Sequence, residues 1–185
     1  MTRTVLILGA SGRFGRACSQ AFVEGGWQVR SFDRSKDDLQ QAASGVQVIV
    51  NGWNPNYTDW ADQVPDLHAQ VIAAARAVGA TVIVPGNVYV FGQHTRGPWS
   101  ENTPHHAENP LGKIRVEMEN AYRQSGVRTI LLRAGDFLDT QASGNWFDMI
   151  LIKDLAKGLF AYPGDPDLPH AWGYLPDLAR VAVAL

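Results

Sequence analysis

The stretch TVLILGASGRFG, Thr4–Gly15, decides the fold. Thr4–Leu8 is a short unbroken apolar run, the pattern of a strand buried on both faces. Gly9, Gly12 and Gly15 follow at once, and Phe14, Ala17, Cys18, Ala21 and Phe22 recur at helical spacing until Gly25 and Gly26 end the helix. A glycine motif alone says little; between a buried strand and an amphipathic helix it gains a mechanism. Gly9 permits the tight turn, Gly12 lets the backbone approach a pyrophosphate, and Gly15 lets the helix pack against the strand. With Ser11, Arg13 and Phe14 they open the helix, whose free N–H groups and positive dipole end favour an anion. The turn is therefore expected to hold the phosphates of a dinucleotide, NAD or NADP. A glycine turn that only packs is the competing reading.

Outward from the turn, strand and helix alternate. Gln28–Phe32 reads as the second strand, and Asp33 ends it about 20 residues beyond the glycines. A carboxylate there can accept from both ribose hydroxyls, which favours NAD. Arg34 beside it and Arg13 inside the turn could each pair with a 2′-phosphate, so NADP stays open; solvated surface arginines are the bland alternative. Lys36–Ala43 reads as a short helix capped by Ser35, and Val46–Val50 as a third strand. Leu67, Val71, Ala74 and Val78 form a helix stripe ending at Gly79, followed by the strand Thr81–Val84. Gly112–Ser125 is a further helix, stopped by Gly126, and Thr129–Leu132 a further strand. This order implies an α/β fold: a Rossmann-type doubly wound parallel sheet with right-handed crossovers, in one domain over residues 1–185. Trp53–Pro65 and Phe91–Pro110, rich in Pro, Asn, Trp and His, read as long loops at strand C-termini, where open α/β sheets bind ligands.

Charge and cysteine usage narrow the function. The 16 Lys and Arg against 18 Asp and Glu are scattered, which argues against nucleic acid and acidic membranes as partners. Cys18 is the only cysteine, so neither an internal disulfide nor thiolate metal ligation is supported, and a reducing cytoplasm fits. The apolar run before Gly9 is too short for a signal peptide, and no run approaches the ~18 residues of a membrane span. His94, His105 and His106, with Glu101 and Glu108 nearby, match no metal spacing, so a polar loop without metal is expected. Trp53, Trp60 and Trp99 either wall an apolar substrate pocket or anchor the loops; Asn145, Trp146 and Phe147 invite the same two readings.

At this point the chain resembles the short-chain dehydrogenase/reductase superfamily, in its extended and atypical branch of NAD-dependent epimerases and dehydratases. GASGRFG (9–15) has the glycine spacing of that branch. VQVIVNGWNP (46–55) is similar to the strand whose end lines the cofactor, which implicates Asn51, Gly52 and Trp53. TVIVPGNVYVFG (81–92) is similar to the strand that carries the catalytic serine and ends in Tyr-Gly, here Phe91-Gly92, and it adds Pro85 and Gly86 to the cofactor set. AWGYLPDLARVAVA (171–184) is similar to a late strand-and-helix segment of extended members. The resemblance implies NAD(P) and a small carbohydrate or carbonyl substrate, met by a C-terminal portion that starts near residue 134.

The departures from the family pattern bear on chemistry. Counting back from Gly92, the serine position holds Asn87. In NPLGKIR (109–115) the family's Tyr-x-x-x-Lys falls on Leu111 and Arg115. Leucine cannot exchange a proton with a substrate oxygen while hydride moves. Arg115 keeps a cation for the nicotinamide ribose, and Asn87 keeps a hydrogen-bond donor for a carbonyl. Lys113, if buried, would replace the phenol as proton donor; a surface lysine is the alternative. Asp136 stands near where nucleotide-sugar epimerases carry an asparagine, and a carboxylate facing a diphosphate disfavours a UDP-sugar. Only about a dozen residues separate Asp33 from Val46, so the sheet is expected to lack its usual third strand. The chain also stops inside the helix begun near Pro176 and Asp177, which suggests a truncated substrate region or a partner subunit, a homodimer included. Two functions lead: an epimerase/dehydratase-like or reductase enzyme with a non-standard site around Asn87, Lys113 and Arg115, or a non-catalytic NAD(P)-binding sensor; a flavin- or other nucleotide-binding module is a minor third.

Overall fold

The structure is a computed structural model that describes residues 2–185. Its strands are β1 (Thr4–Leu8), β2 (Gln28–Phe32), β3 (Val48–Asn51), β4 (Thr81–Gly86) and β5 (Thr129–Arg133). They pair in parallel in the order β2-β1-β3-β4-β5, the doubly wound Rossmann-type α/β sheet expected from the alternation. Between β2 and β3 only the short helix α2 (Leu39–Ala42) fits, so β2 is an edge and the extra strand is indeed absent.

Every residue of β1 is buried because helices cover both faces. Side chains alternate across a strand, so Val5 and Ile7 pack under α1 (Arg13–Glu24) and α5 (Leu175–Ala184), while Leu6 and Leu8 pack under α3 (Trp60–Val78) and α4 (Pro110–Gln124). Each such side chain taken from water contributes about 1.5–3 kcal/mol, which fixes the sheet as the rigid frame of the site. A second sheet of two parallel strands, β6 (Asp136–Leu138) and β7 (Trp172–Tyr174), follows β5. Among the described residues, no helix is long and apolar enough to cross a membrane.

Several boundaries differ from the sequence reading: β3 runs over Val48–Asn51 instead of Val46–Val50, β4 continues to Gly86 and β5 to Arg133, and the helices differ as well. The segment expected as a loop to Pro65 is helical from Trp60, led in by a 3-10 turn at Tyr57–Asp59. Trp60 is only 2% exposed, and its Nε1 donates to the Pro55 carbonyl at 3.1 Å, so burial of the indole fixes the helix start. Pro65 is tolerated because the N–H it lacks would have met the carbonyl of exposed Ala61, which water can serve instead. α2 is capped by Asp38, which accepts from the Gln41 N–H, and not by Ser35. α4 starts two residues early because Asn109 caps it through the Gly112 N–H at 2.7 Å and Pro110 suits its first turn.

Candidate dinucleotide site

The strand register sets Phe32, Leu8 and Asn51 side by side, so Asp33, Gly9 and Gly52 leave the sheet together at its carboxyl edge. Gly9 turns with φ +72, where an L side chain is strained. A Cβ on it would lie 2.9 Å from the Gly52 carbonyl oxygen, and one on Gly52 would lie 2.7 Å from that of Leu8. A Cβ on Gly15 would collide with the Gly9 carbonyl, so α1 can sit this close only as glycine. The Gly12 N–H donates to the Gly9 carbonyl at 2.9 Å and closes the turn. Gly12 then caps α1 without a side chain, and no acidic residue stands in the first turn. The amides of that turn and the positive helix end are left facing exposed Ser11, Gly12 and Arg13, with Phe14 folded into the core. This surface of bare backbone with a positive end fits a pyrophosphate.

On the β2 side, Asp33 is engaged by its own loop. Its Oδ1 accepts from the Ser35 N–H at 3.0 Å and the Ser35 hydroxyl at 2.7 Å, and its Oδ2 pairs with Lys36 at 2.9 Å. The Lys36 and Ser35 contacts hold this exposed carboxyl well below the usual carboxylate range. Arg34 lies over the Trp53 ring, 5.7 Å from its centroid, and Trp53 rests on Phe32 at 5.6 Å. Arg34, Trp53, Asn54 and Pro55 line an open cleft of roughly 330 Å³ that reaches Asp59 and Gln63 on the α3 side. Arg13, expected as an alternative 2′-phosphate partner, is committed elsewhere: its Nε and Nη2 donate to the carbonyls of Ser143 and Gly144 at 2.9 and 2.7 Å. Arg16 holds Asp139 at 2.5 Å on the same side. These two arginines clamp the segment after β6 onto the glycine turn, so of the two proposed phosphate arginines only Arg34 stays beside Asp33.

At the end of β4, Pro85 and Gly86 meet the helix face that carries Arg115. Arg115 is 5% exposed, donates from Nη2 to the Pro85 carbonyl at 2.7 Å, and stacks over Trp60 at 5.4 Å. Burial weakens its hold on its proton, and its Nε has no hydrogen-bond partner. Lys113, two residues earlier on α4, is exposed. Its expected role required burial, and a helix places positions two apart on different faces, so the proton-donor reading is withdrawn. Asn87 accepts from the Tyr89 N–H at 3.0 Å through Oδ1, which starts the 3-10 turn Tyr89–Phe91. That turn presents a phenol sequence reasoning missed: Tyr89 Oη lies 3.4 Å from Tyr57 Oη. Burial, then the Tyr57 hydroxyl, push the Tyr89 phenol above its usual range, so it holds its proton.

Two buried polar groups brace this edge. Asn51 Nδ2 lies 3.2 Å from His68 Nδ1 and 3.4 Å from Tyr122 Oη, while Asn51 Oδ1 receives the Trp53 N–H at 3.2 Å. This ties β3, α3 and α4 together behind the cleft; burial lowers His68 to about 3, so the imidazole is neutral. Glu119 is fully buried and receives Arg133 through both oxygens, at 3.0 and 2.9 Å, and Arg133 Nη1 also donates to the Asn87 carbonyl. The paired charges in E119 and R133 carried no motif, but their spacing across α4 and β5 fixes the turn at Asn87.

The loop histidines do not converge. His105 turns inward to Glu119 at 3.5 Å, His94 meets Gln93, and His106 lies by Thr95; among the described residues no group of three His, Cys, Asp or Glu is placed for a metal. Trp99 stacks on Phe91 at 4.8 Å and anchors its loop, Trp60 is core, and only Trp53 faces the cleft. Asn145 is buried and accepts from the Asp148 N–H, whereas Trp146 and Phe147 join an aromatic cluster with Trp172.

Comparison with known proteins agrees with this geometry. The chain is 27% identical over 154 residues to the methionine adenosyltransferase 2 subunit beta of Bos taurus, covering 71% of this chain and 46% of that protein. It therefore spans about half the length of the curated relatives it matches. Its fold is similar to that of an NAD-dependent NDP-hexosamine 5,6-dehydratase of tunicamycin biosynthesis, with TM-score 0.80, 18% identity, and 99% and 71% of the two chains covered. It is also similar to a dTDP-4-dehydrorhamnose reductase of Bacillus anthracis solved with NADP, with TM-score 0.75, 19% identity, and 100% and 72% covered. The RmlD substrate binding domain profile matches residues 3–158, most of the chain from the glycine turn through the segment clamped by Arg13. The chain belongs to the RmlD substrate binding domain family.

Proposed function

We propose that the chain binds NAD or NADP and serves an oxidoreductase-type reaction on a small carbohydrate or carbonyl substrate. The observation that carries this is the cradle at Gly9, Gly12, Gly15 and Gly52, where backbone comes too close for any Cβ and the helix end is left uncapped. The first-turn amides after Gly12 would hold the pyrophosphate, Asp33 or Arg34 the adenosine ribose, and Trp53 with Asn54 the adenine side of the cleft. A bound nicotinamide would supply or take a hydride. Arg115 and the ends of Asn51 and Pro85–Gly86 would bound the reactive side, and Asn87 Nδ2 would donate to a substrate oxygen. Residues 1–185 act as one unit in which the substrate portion begins near residue 134, and a cytoplasmic setting fits the single buried thiol. Solved proteins of this fold carry NAD or NADP and act on nucleotide sugars, which supports the substrate class.

The test is a comparison of NADH and NADPH binding by the chain and by Arg34→Ala. NADPH preferred by at least about tenfold, and lost in Arg34→Ala, places the 2′-phosphate on Arg34; preference for NADH assigns the ribose to Asp33. Affinity for neither by a folded sample contradicts the proposal. A second reading has two observations of its own: Leu111 stands where the family places its phenol, and the curated relatives are named as a subunit of a transferase. A nucleotide-binding subunit would change its affinity for a partner when NAD(P) binds, and equal partner binding with and without nucleotide would exclude it.

A further inference from the structure

Tyr162, His170 and Asp136 form a hydrogen-bonded chain that no feature of the glycine cradle requires. Tyr162 Oη lies 2.8 Å from His170 Nδ1, and His170 Nε2 lies 2.8 Å from Asp136 Oδ2. A carboxylate only accepts, so Nε2 carries the hydrogen and Nδ1 is left to accept from the phenol. The imidazole packs near-parallel to the indoles of Trp146 and Trp172, at 5.2 and 4.2 Å, and the two indoles also touch each other at 5.7 Å. These ring contacts and the two hydrogen bonds hold the imidazole in that line. Gly135 lets the strands close: a Cβ there would strike the Ala171 carbonyl, which instead accepts the Asp136 N–H at 3.0 Å.

The chain of three stands at the carboxyl edge of the main sheet. Asp136 begins β6 directly after β5, whose last residue Arg133 pairs with Gly86 at the end of β4. Its charge is felt by Tyr89, in the turn that Asn87 starts. Ser143 and Gly144, next to Asn145 and Trp146, are clamped to the glycine turn by Arg13. Tyr89, three residues beyond β4, and Tyr162, linked through His170 to the start of β6, thus stand at the β4–β5 part of the carboxyl edge. Tyr89 is held protonated by burial and by Tyr57, whereas the Tyr162 hydroxyl is aimed at a nitrogen able to take its proton.

We propose that Tyr162 is the acid/base residue that replaces the phenol missing at Leu111, with His170 as its proton partner and Asp136 as the residue positioning the imidazole. This rests on the NAD(P) reading above. With a nicotinamide bound as hydride acceptor, Tyr162 would take the hydroxyl proton of a secondary alcohol of the substrate as its carbon is oxidised. The proton that Tyr162 held passes to His170 Nδ1, and the Asp136 carboxylate balances the imidazolium; reduction of a ketone runs the same transfers backwards. The site thus suits a substrate that presents a carbonyl or secondary alcohol at this edge.

The test couples nucleotide affinity to proton release, both measured on the full chain. NAD+ and NADH are titrated by tryptophan quenching, and protons are counted with an indicator dye in weakly buffered solution between about pH 6 and pH 9. A cationic nicotinamide beside the relay favours the phenolate; the proton that His170 takes up is passed on to solvent towards the alkaline end of that range, so NAD+ binding releases protons there and NADH binding does not. Release falls at least about fivefold in Tyr162→Phe and in His170→Asn, while the Kd for NAD+ stays within about threefold. Near-UV circular dichroism of each variant checks that the Trp146–Trp172 aromatic cluster survives, and Asp136→Asn, which keeps a hydrogen-bond acceptor but not the charge, is expected to reduce release as well. Equal release in Tyr162→Phe and the unaltered chain, or equal release with NAD+ and NADH, overturns the relay and leaves cofactor binding standing. Loss of release in Tyr89→Phe with Tyr162→Phe normal moves the role to Tyr89 and also overturns it. Binding of neither nucleotide by a folded chain overturns the relay together with the reading it rests on.

Discussion

Replacing Gly15 with alanine puts the geometry of the glycine turn to a test of sign as well as size. In an open helix position alanine is better than glycine by up to about 1 kcal/mol, so Gly15→Ala without a steric conflict would raise stability. The structure predicts the reverse. The added Cβ would collide with the Gly9 carbonyl oxygen, stand 2.8 Å from its carbon and 3.1 Å from the Ala10 Cα. All three are backbone atoms of a turn held by the Gly12 N–H and wedged against Gly52, so no flexible side chain can yield. Overpacking of this kind costs up to about 3 kcal/mol, which leaves a net loss of about 2 kcal/mol after the helix gain. In a domain of this length that lowers Tm by roughly 4–8 °C, read by circular dichroism with urea unfolding as a second measure. Because the first turn must back away from β1, NADH or NADPH affinity falls at least about tenfold as well. A Tm at or above that of the unaltered chain would refute the close packing of α1 on the turn.

Two further outcomes follow from buried polar groups. His68 is neutral in the folded chain because burial lowers it to about 3, while in the unfolded chain it titrates near 6.5. Above pH 6.5 neither state protonates and the group is silent; as pH falls from about 6.5 towards 3 the unfolded state gains a proton the folded state refuses, so stability drops by roughly 1.4 kcal/mol per unit from this residue. Urea melts across that range should show this slope, and His68→Gln should lose it; an unchanged slope in the variant would sink the assignment. Glu119→Leu leaves the half-buried Arg133 without its bidentate partner and should cost about 1.5–3 kcal/mol in urea unfolding, whereas a loss under about 0.5 kcal/mol would show that the ion pair does not fix the Asn87 turn.

The parts of the fold that were legible in the sequence are those decided by local pattern. TVLIL reads as a doubly buried strand because both faces of β1 are in fact covered, and Gly9, Gly12 and Gly15 read as a phosphate turn because their spacing reflects backbone contacts a few residues apart. The start of α3 was hidden because Trp60, Asp62 and Pro65 have the composition of a loop; what makes it helical is burial of one indole, a tertiary fact. Arg13 looked like a phosphate ligand in the turn, but its partners, the carbonyls of Ser143 and Gly144, lie far along the chain. Lys113 and Arg115 looked alike in sequence and were separated only by the helix face, one exposed and one buried. The Asp136–His170–Tyr162 chain had no signature, because Asp136 reaches His170 only through the pairing of β6 with β7 and Tyr162 reaches it through the fold of the loop before β7.

The most direct test of the central claim is a titration of the chain with NADH and with NADPH, followed by tryptophan quenching and nucleotide fluorescence, with Gly12→Asp as control. A saturable signal is predicted for at least one nucleotide, with Trp53 close enough to report it, and it should vanish when a carboxylate is set at the uncapped start of α1. Absence of binding to either nucleotide by a chain that melts cooperatively, or unchanged binding in Gly12→Asp, would contradict the assignment of the glycine turn as a dinucleotide site.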